Sequence, residues 1–268
     1  ALEFAEKISK VGTQPIIGTQ INFKYGDCIG LLPLFALNEE GYKRIIKLSS
    51  FSFLENDVLS ESHIDFKELL EDNSGVAIFS GTIFGLFGEL FNKGKFTDII
   101  ELYKRLKLDF GNRFYIEIQR HGDQNELGFE KFNLNKSFEL EIPIIATNEV
   151  FYLNKDMHEA HDALICIGNK TYVNEKSRTR LSNQHYFKNN SEMTELFADI
   201  PEALENNYKF PLRCNFRPLS SNPILPNISS EKGGNADDLL KKDSLHGLKI
   251  KFDKIFGVNV NDLKNNKT

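Results

Sequence analysis

Three short segments most narrow what this chain can become: GVAIFS (75–80), RFYIEIQ (113–119) and IPIIAT (142–147). The first and third are continuous apolar runs and the second alternates. All three are strand-length, too short for buried helices. Continuous apolar character means burial on both faces, the mark of a parallel sheet covered by helices. Helical patterns fill the gaps at 84–92 and 96–107, and 124–137 is weakly periodic and helical in part. Strands alternating with helices imply an α/β domain with parallel strands. Two further strands come first. QPIIGTQINF (14–23) has Gly18 as a bulge or close-approach point, and IGLLPLFAL (29–37) is interrupted by Pro33. Asn38 then caps the helix EEGYKRIIKLSSF.

The remaining stretches organise around this centre. Residues 1–10 have helical spacing and Gly12 stops them, whereas 50–74 are polar and loop-like with a short helix at 65–71. From 155 the pattern is mainly helical, at 155–167, 191–198 and 201–209. Residues 217–235, rich in Pro, Ser, Asn and Gly, read as a linker, and an amphipathic helix follows at 236–256. In α/β folds functional groups gather at the carboxyl ends of strands. Here those ends are Thr19–Gln20, Ser80–Gly81, Arg120–His121 and Asn148–Glu149, a polar rim over an apolar interior.

Composition removes several function classes. With 268 residues, 40% hydrophobic and 26% charged, the chain can bury a real core. A net charge of −5 argues against a stand-alone nucleic-acid binder, which needs a basic face. Cys28, Cys166 and Cys214 form no CxxC pair, so neither a zinc ribbon nor a disulfide framework is indicated and a reducing cytoplasm fits best. There is no run of 18 apolar residues and no signal peptide, so no membrane partner is expected. The chain starts at Ala1, as an internal fragment would.

Three stretches resemble the polymerase-and-histidinol-phosphatase (PHP) domain of the bacterial DNA polymerase III alpha family. They are QPIIGTQINF with LFALNEEGYKRIIKLSS, FYIEIQRHG (114–122), and IIATNEVFYLNKDMHEAHDALICI (144–167) running on to YFKNNSEMTELFADIPEALENN (186–207). The resemblance covers about residues 1–255. It implies an incomplete, distorted (β/α)7 PHP barrel lacking its first strand, with its His-x-His motif upstream. It assigns 1–216 to the PHP domain, 217–235 to a linker and 236–268 to the start of a palm region. For the full-length protein it implies template-directed DNA synthesis with magnesium. The implied partners are the rest of the polymerase subunit, a proofreading exonuclease subunit, a sliding clamp, and DNA reached through the whole protein.

PHP domains of this family resemble metal-dependent phosphoesterases, in which His and carboxylate ligands hold metals that activate water. The positions visible here depart from that pattern. Gln20 stands where the family has a carboxylate, Leu31 where it has a His, and Phe151 where Asp-Val-His would end. His121 retains its family residue and Glu149 retains an acid. Isolated ligands do not build a cluster, so the expected site is degenerate, with His121 and Glu149 as relics and no cofactor for this portion. Phe151 is expected to fill with apolar bulk the space that metals would take. The alternative is an active metal-dependent PHP phosphoesterase or 3'-5' exonuclease.

Other residues have plain and sharp readings side by side. His121 is either a relic ligand or a hydrogen-bonded rim histidine. His158 and His161, three apart on a helix, could bind a metal or lie on a solvated or partly buried face. Lys176, Arg178 and Arg180 could reach a DNA backbone or form an ordinary solvated loop. Phe84, Phe87 and Phe91 at i, i+3 and i+7 read as a core-facing helical stripe.

Overall fold

The structure is a computed structural model that describes residues 2–54, 56, 61–223 and 235–256. Its backbone divides into two compact units, Ala1–Leu219 and Ser220–Thr268. In the first unit six strands form one sheet: β1 (Gly18–Tyr25), β2 (Cys28–Ala36), β3 (Ile64–Asp65), β4 (Val76–Phe79), β5 (Phe114–Ile118) and β6 (Ile144–Ala146), ordered β3-β1-β2-β4-β5-β6. This is a mixed α/β fold.

β4, β5 and β6 run parallel and every residue in them is buried, as continuous apolar strands require. β2 overturns the all-parallel expectation, because it pairs antiparallel with both β1 and β4. The reason is local. The segment YGDC (25–28) is a tight turn in which Gly26 adopts φ +59°, so the chain reverses at once instead of crossing over through a helix. β1 therefore begins at Gly18, and Gln20 is its third residue rather than its end. Gly18 does mark a close approach: a Cβ there would lie 2.7 Å from the Leu34 carbonyl oxygen.

Helices cover the sheet: α1 (Leu2–Lys10), α2 (Glu39–Leu54), α3 (Phe66–Glu71), α4 (Leu86–Asn92), α5 (Phe96–Phe110) and α6 (Gln124–Leu140). The Asn38 side chain accepts from the Gly41 N–H at 2.9 Å and so starts α2, as its position suggests. α6 is a full helix despite its weak periodicity. Its Asp123–Glu126 capping box fixes the start, and its inward face mixes Phe129 with Asn133 and Ser137. Asn133 Oδ1 accepts from the Tyr103 hydroxyl (2.9 Å) while its Nδ2 has no partner, and Ser137 Oγ donates to the Ile142 carbonyl (2.6 Å). α4 starts at Leu86, so Phe84 lies off the helix on an exposed turn, while Phe87 is buried and Phe91 packs against the core.

After β6 come α7 (His158–Asn169), α8 (Asn190–Leu196) and α9 (Pro201–Lys209), with an irregular stretch between α7 and α8. The second unit contributes α10 (Ala236–Phe256), a helix where one is expected but with no buried face among its described residues, Leu240, Leu245 and Leu248 being exposed. Most of the expected linker, 224–234, lies outside the described residues, as do residues 257–268.

Candidate functional site

The loops that follow β4, β5 and β6 meet the β1–β2 hairpin at one end of the sheet. Gln20, Leu31 and Glu149 converge there around a small cavity of about 50 Å³, with Pro33, Gly81, Thr82 and Phe84 completing its wall. Three positions singled out from sequence are thus brought together. One is an amide, one a hydrocarbon and one a carboxyl. Burial pushes the Glu149 carboxyl above the usual carboxylate range, and the nearby His121 pulls it partly back.

His121 lies beside this cavity, after β5, and is 3% exposed. The Glu149 backbone N–H donates to its Nε2 at 3.3 Å, so that nitrogen offers its lone pair inward. Nδ1 therefore carries the ring proton and donates it to Glu126 Oε1 at 3.1 Å. The other Glu126 oxygen accepts the His121 backbone N–H at 2.8 Å. Burial opposes charge on Glu126, but the bonds from His121 outweigh it and hold the carboxyl below its usual range. His121 is a structural histidine with both ring nitrogens engaged.

His185 stacks on His121, with ring centroids 4.0 Å apart and planes within 3°. Its Nδ1 donates to the Glu149 carbonyl at 3.2 Å. Burial, then repulsion from His121, lowers its pKa to about 4, so it is neutral at pH 7. Both rings face a cleft of about 470 Å³ between residues 121–126 and 180–185, with Phe84 on its edge. Beneath the rim Glu117 is buried on β5. Its carboxyl accepts from the Thr147 hydroxyl and from Gln119 at 3.1 Å, and its Oε2 has no partner. Burial pushes this group above the carboxylate range, and the nearby Glu149 adds to the rise.

These side chains do not fit a metal cluster. Gln20 is a weak neutral donor, Leu31 and Phe151 have none, and His121 has no free lone pair. Among the described residues no three His, Cys, Asp or Glu side chains are placed to hold a metal ion. Phe151 also departs from expectation. It is 46% exposed, so it fills no cavity; its ring lies over His161 (5.2 Å, 21°) and against His185 (5.3 Å, 45°). An aromatic ring beside imidazoles gains more from stacking on their faces than from facing the carboxyls of the rim.

The PHP domain family matches residues 1–121. DNA polymerase III subunit alpha of Rickettsia conorii is 38% identical over 252 residues, 92% of this chain and 21% of that protein. The same subunit of Caulobacter vibrioides is 32% identical over 266 residues, and that of Borreliella burgdorferi 33% over 266, each covering 94% of this chain. The chain contains a PHP domain homologous to DNA polymerase III subunit alpha. It spans about one-fifth of the length of these relatives, 21% to 23%.

The basic loop of this PHP chain is not uniform. Arg178 forms a paired contact with Asp162, its Nη2 2.6 Å from Oδ2, and both side chains are buried. The Arg178 guanidinium therefore faces inward, whereas Lys176 and Arg180 are exposed and Arg180 lines the larger cleft. His158 and His161 are both partly buried and point to different tasks. His158 Nε2 donates to the Leu181 carbonyl at 2.9 Å, while His161 packs against Phe151 and Tyr152. Sequence reasoning missed Glu117, Glu126 and His185. The alternation of FYIEI would assign Glu117 to one face of β5, yet both faces are covered. Glu126 was legible as the third helical residue of a capping box. His185 had no signal, since only the path of the chain brings it to His121.

Proposed function

We propose that this chain is the PHP portion of a replicative DNA polymerase and acts as a metal-free scaffold within it. The polymerising activity and its magnesium would belong to the whole protein. So would the contacts with DNA, a proofreading exonuclease subunit and a sliding clamp, all in the cytoplasm. Likeness to DNA polymerase III subunit alpha over 92% of the chain supports the polymerase assignment. The single observation that supports the scaffold reading is His121, whose two ring nitrogens are held by Glu126 and by the Glu149 backbone. No described helix is long and apolar enough to cross a membrane, which accords with a replication role. Domain limits of 1–216 for the PHP portion and 236–268 for the start of a palm region belong to the same proposal.

Metal analysis of the purified protein together with a manganese-dependent phosphodiester assay tests this. The expected result is substoichiometric metal and no hydrolysis above background. Stoichiometric zinc or manganese with metal-dependent cleavage of a DNA 3' end would replace the scaffold by an active phosphoesterase.

A further inference from the structure

The stretch 178–188 has no strand ladder of its own, yet it lies across the end of the sheet as a strap. Its backbone polar groups are met one at a time, as an irregular segment in contact with the core requires. Ser182 Oγ donates to the His121 carbonyl at 2.6 Å, and the Tyr152 hydroxyl donates to the Ser182 carbonyl at 3.1 Å. The Phe151 N–H donates to the His185 carbonyl at 2.9 Å, and the Phe187 N–H to the Tyr152 carbonyl at 3.0 Å. The Asn148 amide donates to the Tyr186 carbonyl at 2.8 Å. Arg178 ties one end to Asp162.

What runs through the middle is a column of rings: His121 on His185 at 4.0 Å, His185 against Phe151 at 5.3 Å, Phe151 on His161 at 5.2 Å, and His161 beside Tyr152 at 5.3 Å. These rings come from the loop after β5, from the strap, from the loop after β6 and from α7. Only His185 belongs to the strap, and its ring sits between two that do not.

We propose that this ring column is the clamp that closes the strap over the sheet end and so forms one wall of the large cleft. His185 is the inserted ring, and Phe151, standing where a ligand would be expected, is the ring that completes the column. Stacked and tilted ring contacts add to what burial contributes, so removing a central ring breaks two at once. The cleft wall then depends on side-chain stacking and not on an ion.

Amide hydrogen exchange on the intact protein tests the clamp, read at Phe151 and Phe187, whose N–H bonds join the strap to residues 151–152. His185→Ala is expected to speed exchange at both at least tenfold. Ile116, whose N–H donates to the Pro143 carbonyl within the sheet, should keep its wild-type rate. His185→Phe, which keeps a ring in place, should retain most of the protection. A chelator should leave the wild-type rates unchanged. Unchanged exchange in His185→Ala overturns the clamp, as does release of the wild-type strap by the chelator alone. Should His185→Ala fail to fold, Phe151→Leu keeps apolar bulk without a ring and should show the same local acceleration; wild-type rates in that variant would also overturn the proposal.

Discussion

The two sides of the rim are built in opposite ways. On the β1–β2 side Gln20 and Leu31 face a small open cavity and bond to nothing that needs them. On the β5–β6 side Glu117, His121, Glu126 and His185 are all buried, and every one makes internal hydrogen bonds. A polar group at an open edge can be replaced freely, because water serves whatever stands there. One in the interior must be satisfied by the protein, and its neighbours come to depend on it. The β5–β6 side is therefore the structurally costly side.

Removing the centre of the polar side should have the largest effect. His121→Ala leaves the Glu126 carboxylate without its ring partner and removes one ring of the column. A loss of about 2–3 kcal/mol is expected, since a buried carboxylate that loses a hydrogen-bond donor is left partly unsatisfied. Chemical denaturation measures it, and a loss no larger than that of a surface substitution would erase the contrast between the two sides.

Acid should act on the same side. The folded pKa of His185 is about 4, below its ordinary value of 6.5. Below 6.5 the unfolded chain takes up a proton that the folded chain refuses, so the stability due to this group is complete above that pH. It falls as pH drops from 6.5 through 4. The upper limit of the effect is about 3 kcal/mol, at 1.36 kcal/mol per unit. A melting series over pH 4–7 should show a shallower decline in His185→Phe than in the wild type; identical slopes would count against the assignment.

Glu117 should behave with the opposite sign. Its pKa is raised by burial, so its contribution is lost as pH rises above the ordinary carboxylate range. Glu117→Gln, neutral throughout, should gain on the wild type as pH rises from 5 to 8. Equal gaps at the two pH values would mean that Glu117 is not held in a raised state.

The smallest effects belong to the open side. Gln20→Asp and Leu31→His should each alter stability by about 0.5 kcal/mol or less, as exposed substitutions do. Even together they should not create tight manganese binding by calorimetry, because His121 still lacks a free nitrogen. Micromolar binding would show that the β5–β6 network gives way readily to a metal.

Much of this was legible from particular residues. The continuous apolar runs at 75–80 and 142–147 became β4 and β6, because a fully buried strand leaves such a signature, and the alternating segment 113–119 became β5. Asn38 and Gly18 acted as their types suggest. The antiparallel direction of β2 is not legible in the strand pattern; only the pairing of Tyr25 with Cys28 reveals the two-residue turn at Gly26–Asp27. Arg178 looked like its neighbours Lys176 and Arg180, and only a partner sixteen residues earlier turned it inward.

By itself the sequence determined the α/β class, the three rim loops that follow β4, β5 and β6, the PHP resemblance, and the absence of ligand chemistry at Gln20, Leu31 and Phe151. These follow from local composition and from the identity of single side chains. The tertiary structure alone decided that His121 is consumed by hydrogen bonds, that Glu117 is buried with an unpaired oxygen, and that His185 slides between His121 and Phe151. Hydrogen-bond capacity and ring stacking depend on which atoms lie within a few ångströms. That proximity, between residues as far apart in the chain as 121 and 185, exists only once the sheet has brought the loops together.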